Sequence, residues 1–406
     1  MDEEQTHPAG VFREGYLLIA PNHGGGGRTE KRVIRAECLS CGYEDYRMSS
    51  LGLGELLKDR CPKCGGDLAV TGKELPREWE EVLSEVEKEF LVVDFVFGKG
   101  EGELEVEARP NSSFSRLLRA LRPKRKICAL RRRDGSLYLR IFTLPPPKRE
   151  KPYLPSLLLG LTLLSVFGSS YFFLFGETTK AMLFSISLMG ILASHELGHG
   201  IAARRNGVEA SPPYFIPAPT YLGTLGAVVR VRSPIPSRNA LVEVGAYGPL
   251  LGFLAALSVS LLGFLWGGKG ETGFLTTPVL LFLRSLVGRG SDNPLVLAGS
   301  VMMVITFLNL LPAGQLDGGH VARGLMNTRN HHTLTKIVGL GLLFSGLLLP
   351  YYPFFWVWGF LILLFFGRPH AGVLDDLSPL SSSHRFLAFA TFLLLPLTFP
   401  LPEVWV

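Results

Sequence analysis

Apolar runs dominate the chain from Tyr153 onward, whereas residues 1–151 interleave Arg, Lys and Glu with short apolar stretches. That break predicts a soluble N-terminal region followed by an α-helical multi-pass membrane domain, 153–406, of about six to eight spans. In the first half, Pro76 to Glu89 has helical spacing with a strongly charged face, and Phe90 to Phe97 reads as a strand. Glu103 to Ala108 alternates, Ser112 to Leu121 is helical, and Lys126–Arg132 with Leu137–Phe142 bracket Asp134-Gly135 as a hairpin. These elements make a small α+β module over 74–147, between a region 1–73 and a stiff basic linker, 148–152. In the second half the candidate spans are Tyr153–Phe175, Ala181–Ala203, Leu241–Trp266, Leu295–Leu311, Thr335–Leu349, Tyr351–Phe366 and Phe386–Phe399. Pro278–Val287 is apolar but too short to cross, which suits a re-entrant or interfacial segment. Pro350 and Pro353 leave Leu340–Phe366 as either a tight helical hairpin or a kinked element.

Charge adds orientation. Lys148, Arg149 and Lys151 precede the first span, and Arg204-Arg205 follow the second. By the positive-inside tendency both flanks are cytoplasmic, giving a multi-pass protein of the cell membrane with a cytoplasmic N-terminal domain. The opening Met1-Asp2-Glu3-Glu4-Gln5 is acidic and lacks the basic-then-apolar order of a secretory signal, which agrees with that placement. The net charge of +6 is accounted for by topology and anionic head groups, so the lipid bilayer and no nucleic acid is the expected partner.

Four of the five cysteines form Cys38-x2-Cys41-x19-Cys61-x2-Cys64, the spacing of a four-thiolate zinc ribbon. Each Cys-x2-Cys knuckle converges two thiolates, and two knuckles close a tetrahedral site with no position left for substrate, so this metal is structural. Two disulfides and rubredoxin-type iron are the alternatives. Cys128 reads as a small buried hydrophobe.

The chemistry-bearing motif is His195-Glu196-Leu197-Gly198-His199, set inside an apolar segment. On a helix, the two imidazoles four residues apart share one face and can grip one zinc, with Glu196 beside them. Ionisable residues at bilayer depth are costly, about 2.5 to 3.5 kcal/mol for an acidic or basic residue on insertion scales, which argues against an idle role. A catalytic zinc takes three protein ligands, and the strongest candidate for the third is Asp317, where Pro312 and Gly314 break a helix at membrane depth. Asn309, two turns upstream, is a candidate donor to the oxyanion of a tetrahedral intermediate. His320 follows the Gly pair and is a candidate to support the site, while His331, His332 and His370 are expected to face solvent.

The pair His195-Glu196-Leu197-Gly198-His199 and Asn309-x2-Pro312-x3-Leu316-Asp317-Gly318-Gly319 resembles the site-2 protease family of intramembrane metalloproteases, from about Tyr153 to Asp376. Gly223-Thr224-Leu225-Gly226-Ala227 and Gly245-Ala246-Tyr247-Gly248-Pro249-Leu250 are similar to its EGY-like and archaeal branch. The resemblance implies an intramembrane zinc metalloendopeptidase with His195, His199 and Asp317 as ligands, Glu196 as general base and Asn309 as a substrate-stabilising residue. Its substrates would be transmembrane proteins, unwound locally and held by strand addition along Gly223 to Val231, with Gly223, Thr224, Leu225, Gly226 and Ala227 binding the peptide, unless that segment is an ordinary re-entrant turn. The N-terminal extension would recognise substrate, bind a partner or gate access. An inactive membrane scaffold of the same fold and a metal transporter are the competing classes; a transporter would leave Glu196 without a task.

Overall fold

The computed structural model describes residues 32–145, 151–267, 276–287, 293–349, 351–365 and 369–402. The basic linker expected at 148–152 falls mostly outside the described residues. The chain divides into an N-terminal unit, to which Leu374–Leu377 also belongs, and a larger helical unit.

The N-terminal unit is built on one eight-stranded antiparallel sheet: β1 (Arg32–Cys38), β2 (Glu44–Ser49), β3 (Leu56–Arg60), β4 (Asp67–Gly72), β5 (Phe90–Phe97), β6 (Glu101–Ala108), β7 (Lys126–Arg133) and β8 (Ser136–Thr143). Their order is β3-β4-β1-β2-β5-β6-β8-β7. The four ribbon strands meet the others through one pairing, Tyr46 with Phe97. Helix α1 (Arg77–Glu89) buries Trp79, Val82, Leu83 and Val86, and α2 (Phe114–Leu121) buries Phe114, Leu117, Leu118 and Leu121. Both sets follow the i, i+3, i+4, i+7 spacing of a single apolar stripe, which is why these segments are helices laid on a sheet. Trp79 stacks on Phe97 with ring centroids 4.0 Å apart. The β7–β8 turn has positive φ at Asp134 (49°) and Gly135 (91°), the primed two-residue turn its sequence predicts. Cys128 is fully buried in this core, and burial, with Asp375 adding, pushes its thiol up, so it stays protonated. Leu374 closes on the β7 edge, its carbonyl accepting from the Leu130 amide at 2.8 Å.

The helical unit comprises α3 (Leu154–Ser169, continued by a π turn to Phe175), α4 (Thr178–Arg205), α5 (Arg238–Trp266), α6 (Pro278–Val287), α7 (Pro294–Asn309), α8 (Asp317–Leu325), α9 (Thr328–Leu348), α10 (Pro353–Phe365), α11 (Ser382–Phe392) and α12 (Leu394–Thr398). A two-stranded hairpin, β9 (Tyr214–Pro217) with β10 (Thr224–Val228), lies between α4 and α5 in sequence. Helices α3 with its π turn, α4 and α5 are long and apolar enough to cross a membrane, and α6, α7 and α10 are shorter apolar helices. Helix α3 buries Thr162 and Val166 while Leu157, Leu161 and Leu164 stand exposed, a surface suited to hydrocarbon and not to water. This is a membrane protein. Gly346 and Gly359 let α9 and α10 approach backbone to backbone, so these two helices pack as the tight helical hairpin and not as one kinked element.

Candidate active site

Helix α4 carries the motif, and its period does what the spacing implies. His195 and His199 stack one turn apart with ring centroids 4.8 Å apart and Nε2 atoms 3.0 Å apart. Asp317, at the first turn of α8, reaches both: Oδ2 is 3.3 Å from His195 Nε2, and Oδ1 is 3.4 Å from His199 Nε2. His195 and Glu196 are buried, at 3% and 7% exposure, and Glu196 interacts electrostatically with both histidines and Asp317.

Asp317 arrives by the broken helix. After α7 ends, Leu310 to Leu316 runs through turns, with Gly314 at φ 56° and its amide donating to Thr335 Oγ1 at 2.9 Å. A Cβ at 318 would strike the Leu310 carbonyl and one at 319 would lie 2.5 Å from the Ala313 carbonyl, so both glycines are needed for the fold-back. Asn309 closes α7 one residue before Leu310 and is thereby placed at this fold-back.

The wall opposite α4 is α5, and sequence reasoning gave it no such role. Val244 O lies 2.7 Å from His199 Nδ1. A carbonyl only accepts, so the ring proton sits on Nδ1 and Nε2 is left bare, as a metal ligand requires. A Cβ at Gly248 would collide with the His199 ring, one at Gly252 would lie 3.0 Å from His195 Nδ1, and one at Gly245 would lie 2.6 Å from the Asp317 carbonyl. Pro249 breaks the helical ladder here by leaving the Gly245 carbonyl without its i+4 donor. The signal was available as glycines at 245, 248 and 252, one face of an apolar helix.

The donor set fits a divalent metal: a bare imidazole nitrogen faces a second imidazole and a carboxylate within 3.4 Å, with no proton assigned by the surroundings to the space between. Among the described residues, the same three form one of two such groups, the ligand atoms of each lying within 4.8 Å of one another.

The other group is Cys38, Cys41, Cys61 and Cys64. Cys38 and Cys64 sulfurs are 3.5 Å apart, Cys41 and Cys61 sulfurs 3.7 Å, and all are free thiols. Bonds of about 2.3 Å at tetrahedral angles would put sulfurs roughly 3.8 Å apart, so the cluster is shaped for a metal and not for disulfides. The knuckles are near copies: Gly42 and Gly65 turn with φ 65° and 74°, their amides donating to the Cys38 and Cys61 carbonyls at 3.0 and 2.8 Å. Burial opposes ionisation of Cys38, but the Ser40 and Cys41 amides and the neighbouring thiols bring it down to about 7. The Gly66 amide favours the Cys64 thiolate, yet Cys41 and Cys38 beside it push it up to about 12. One proton leaves easily and the last needs a cation to displace it.

Thr224 to Ala227 lie in β10 of the hairpin, and Gly223 directly precedes it. Gly223, at φ 73°, packs on the α3 backbone at Ser165 and Val166. Thr224 Oγ1 donates to the Ile216 carbonyl and accepts from the Gly226 amide, both at 3.0 Å, fixing a bulge before Ala227. Leu225 is 70% exposed. The expectation that His331 and His370 face solvent is overturned: they are 1% and 8% exposed, because α9 and the segment after α10 pack around α8.

Residues 183–349 match the model of Peptidase family M50. Over that stretch the chain is similar to the M50 peptidases. Among curated proteins, this chain is 33% identical over 249 residues to "Probable zinc metalloprotease EGY1, chloroplastic" of Arabidopsis thaliana, covering 55% of this chain and 43% of that protein. It is 29% identical over 232 residues to "Probable zinc metalloprotease EGY2, chloroplastic" of Oryza sativa subsp. indica, covering 52% and 42%. The chain therefore spans less than half the length of these relatives. No solved structure matches significantly.

Proposed function

We propose that this protein is an intramembrane zinc endopeptidase that hydrolyses peptide bonds in or near transmembrane segments of membrane-protein substrates. The observation that carries this reading is the meeting of His195, His199 and Asp317, with Glu196 beside them, on an apolar membrane helix. The relatives' names support zinc as the metal at these residues, and the clustering of Cys38, Cys41, Cys61 and Cys64 supports a second, structural zinc.

A zinc at the first site would supply Lewis acidity towards the attacking water and the peptide carbonyl. Glu196 takes a proton from that water as its oxygen bonds to the carbonyl carbon, then hands the proton to the amine nitrogen as the carbon–nitrogen bond breaks. Asn309 offers an amide donor to the oxyanion. A carbonyl within an intact helix is hydrogen-bonded and shielded, so the substrate must unwind. Gly223 to Ala227 would hold it by strand addition: β10 pairs β9 on one edge and has no strand on its other edge among the described residues.

In this reading the domain runs from 153 to 406 with about six to eight spans. The basic flanks put the N-terminal domain and the active-site end of α4 on the cytoplasmic side of a cell membrane. The ribbon and the α+β module would recognise substrate, bind a partner or gate access.

The test is cleavage of a panel of tagged transmembrane segments by the purified full chain, wild type against Glu196→Gln, with zinc measured in both. Equal zinc and product from wild type alone is expected. Turnover by Glu196→Gln at the wild-type rate would remove the general base from the mechanism.

A further inference from the structure

His320 stands one helical turn after Asp317 on α8, so the two side chains share a face. Its ring interacts electrostatically with Asp317 and His199. Its Cβ and the Asp317 carbonyl come close to α5 at the same residue, Gly245. Behind it, His320 Nδ1 lies 2.9 Å from His370 Nε2, the two rings edge to face at 89°. His370 follows α10 and lies beyond residue 349, where the family match ends.

The direction of every proton in this chain of bonds follows from one backbone group. The Gly372 amide donates to His370 Nδ1 at 2.9 Å. A backbone N–H can only donate, so Nδ1 is bare and the His370 proton sits on Nε2. His370 then donates to His320 Nδ1, which must also be bare, and the proton of neutral His320 is left on its Nε2. Burial, with His320, His331 and the Arg323 guanidinium adding, lowers His370 to about 3, so it is neutral throughout the physiological range. The turn that supplies the amide is itself fixed. Gly372 has φ 77°, and a Cβ there would lie 3.2 Å from Arg323 Nη2. Arg323 is buried and donates to the Met326 carbonyl and Thr328 Oγ1, both at 2.9 Å. His331 closes the group edge-on to His370 at 5.6 Å.

We propose that His370 and His320 are positioning residues for the metal centre: the Gly372 amide locks His370 as a donor, His370 locks the His320 ring, and the locked His320 holds the turn of α8 that carries Asp317 against Gly245 of α5. This rests on the reading of His195, His199 and Asp317 as a zinc site. Groups that orient a ligand from behind typically hold about 10- to 100-fold in metal affinity, and this pair would hold Asp317 to its share.

The experiment is zinc retention by the purified full chain against graded chelator, with thermal unfolding measured alongside. His370→Gln places an amide donor near the Nε2 position, whereas His370→Met fills similar space without one. Expected is release of the membrane-centre zinc from His370→Met at chelator about 10- to 100-fold lower than wild type. His370→Gln should retain it as wild type does, and the cysteine-bound zinc should be unchanged in both. Wild-type retention by His370→Met would overturn the proposal, as would equal weakening in His370→Gln, because packing and not donation would then be the role. Should His370→Met fail to fold, the same comparison at 320 decides: His320→Gln keeps an acceptor for His370 and should retain zinc, and His320→Leu should lose it. A wild-type chain with zinc at the cysteines alone would defeat the zinc-site reading itself, an outcome distinct from a wild type with two zincs and unmoved variants.

Discussion

The two clusters bring metal-ligating side chains together in opposite ways. The cysteine cluster is made by two near-identical turns within 27 residues, each knuckle organised by its own glycine and its own amides, so its geometry is local. The cluster at His195, His199 and Asp317 spans 123 positions, and its geometry is borrowed: α4 gives spacing, the fold-back before α8 gives Asp317, and α5 gives clearance and a carbonyl. Four sulfurs would fill a tetrahedral metal, whereas two imidazoles and a carboxylate would leave one position open. The difference teaches that the cysteine site should tolerate change elsewhere, while the other should fail when a wall far away in sequence moves by an ångström.

The comparison is broken most severely at Glu196. Replacing it with Gln should lower peptide hydrolysis by about 10²- to 10⁴-fold while zinc content stays at the wild-type level, read by metal analysis beside a cleavage assay. Next is Gly248→Ala, whose added methyl collides with the His199 ring. Displacement of that ring should cost about 10²-fold in activity and weaken the membrane-centre zinc alone. Retention of both zincs and full activity would show that α5 is not the wall described. Cys64→Ser makes the reverse cut: the ribbon should lose its metal and the N-terminal unit should melt earlier, with zinc at His195 and His199 kept. Loss of both metals together would contradict their independence. The smallest effect is the control, Gly200→Ala on α4, where a Cβ meets nothing within 4 Å. It should stabilise the helix by up to about 1 kcal/mol and leave activity and both metals unchanged.

What could be read from the sequence follows the same division. The Cys-x2-Cys knuckles, the i, i+4 histidines and the Asp-Gly turn are short-range patterns whose geometry the chain dictates within a few residues. The stripes of α1 and α2 were legible because they repeat at 3.6. Gly248 and Gly252 could be seen but not interpreted, because a glycine's use depends on what approaches it. His331 and His370 misled for a related reason: Arg329-Asn330 and Pro369 beside them look solvated, and only the packing of distant helices around α8 buries both rings. Span number is not legible in the pattern, because α7 and α10 are apolar helices shorter than a usual span.

The central claim is proteolysis at the His195, His199 and Asp317 centre. Its most direct test is a comparison of membrane-derived peptide fragments from cells carrying the wild-type chain or Glu196→Gln, at matched protein and zinc levels. The account predicts fragments ending within or beside transmembrane segments that appear with wild type and are absent with Glu196→Gln. Identical fragment profiles from the two chains would contradict it.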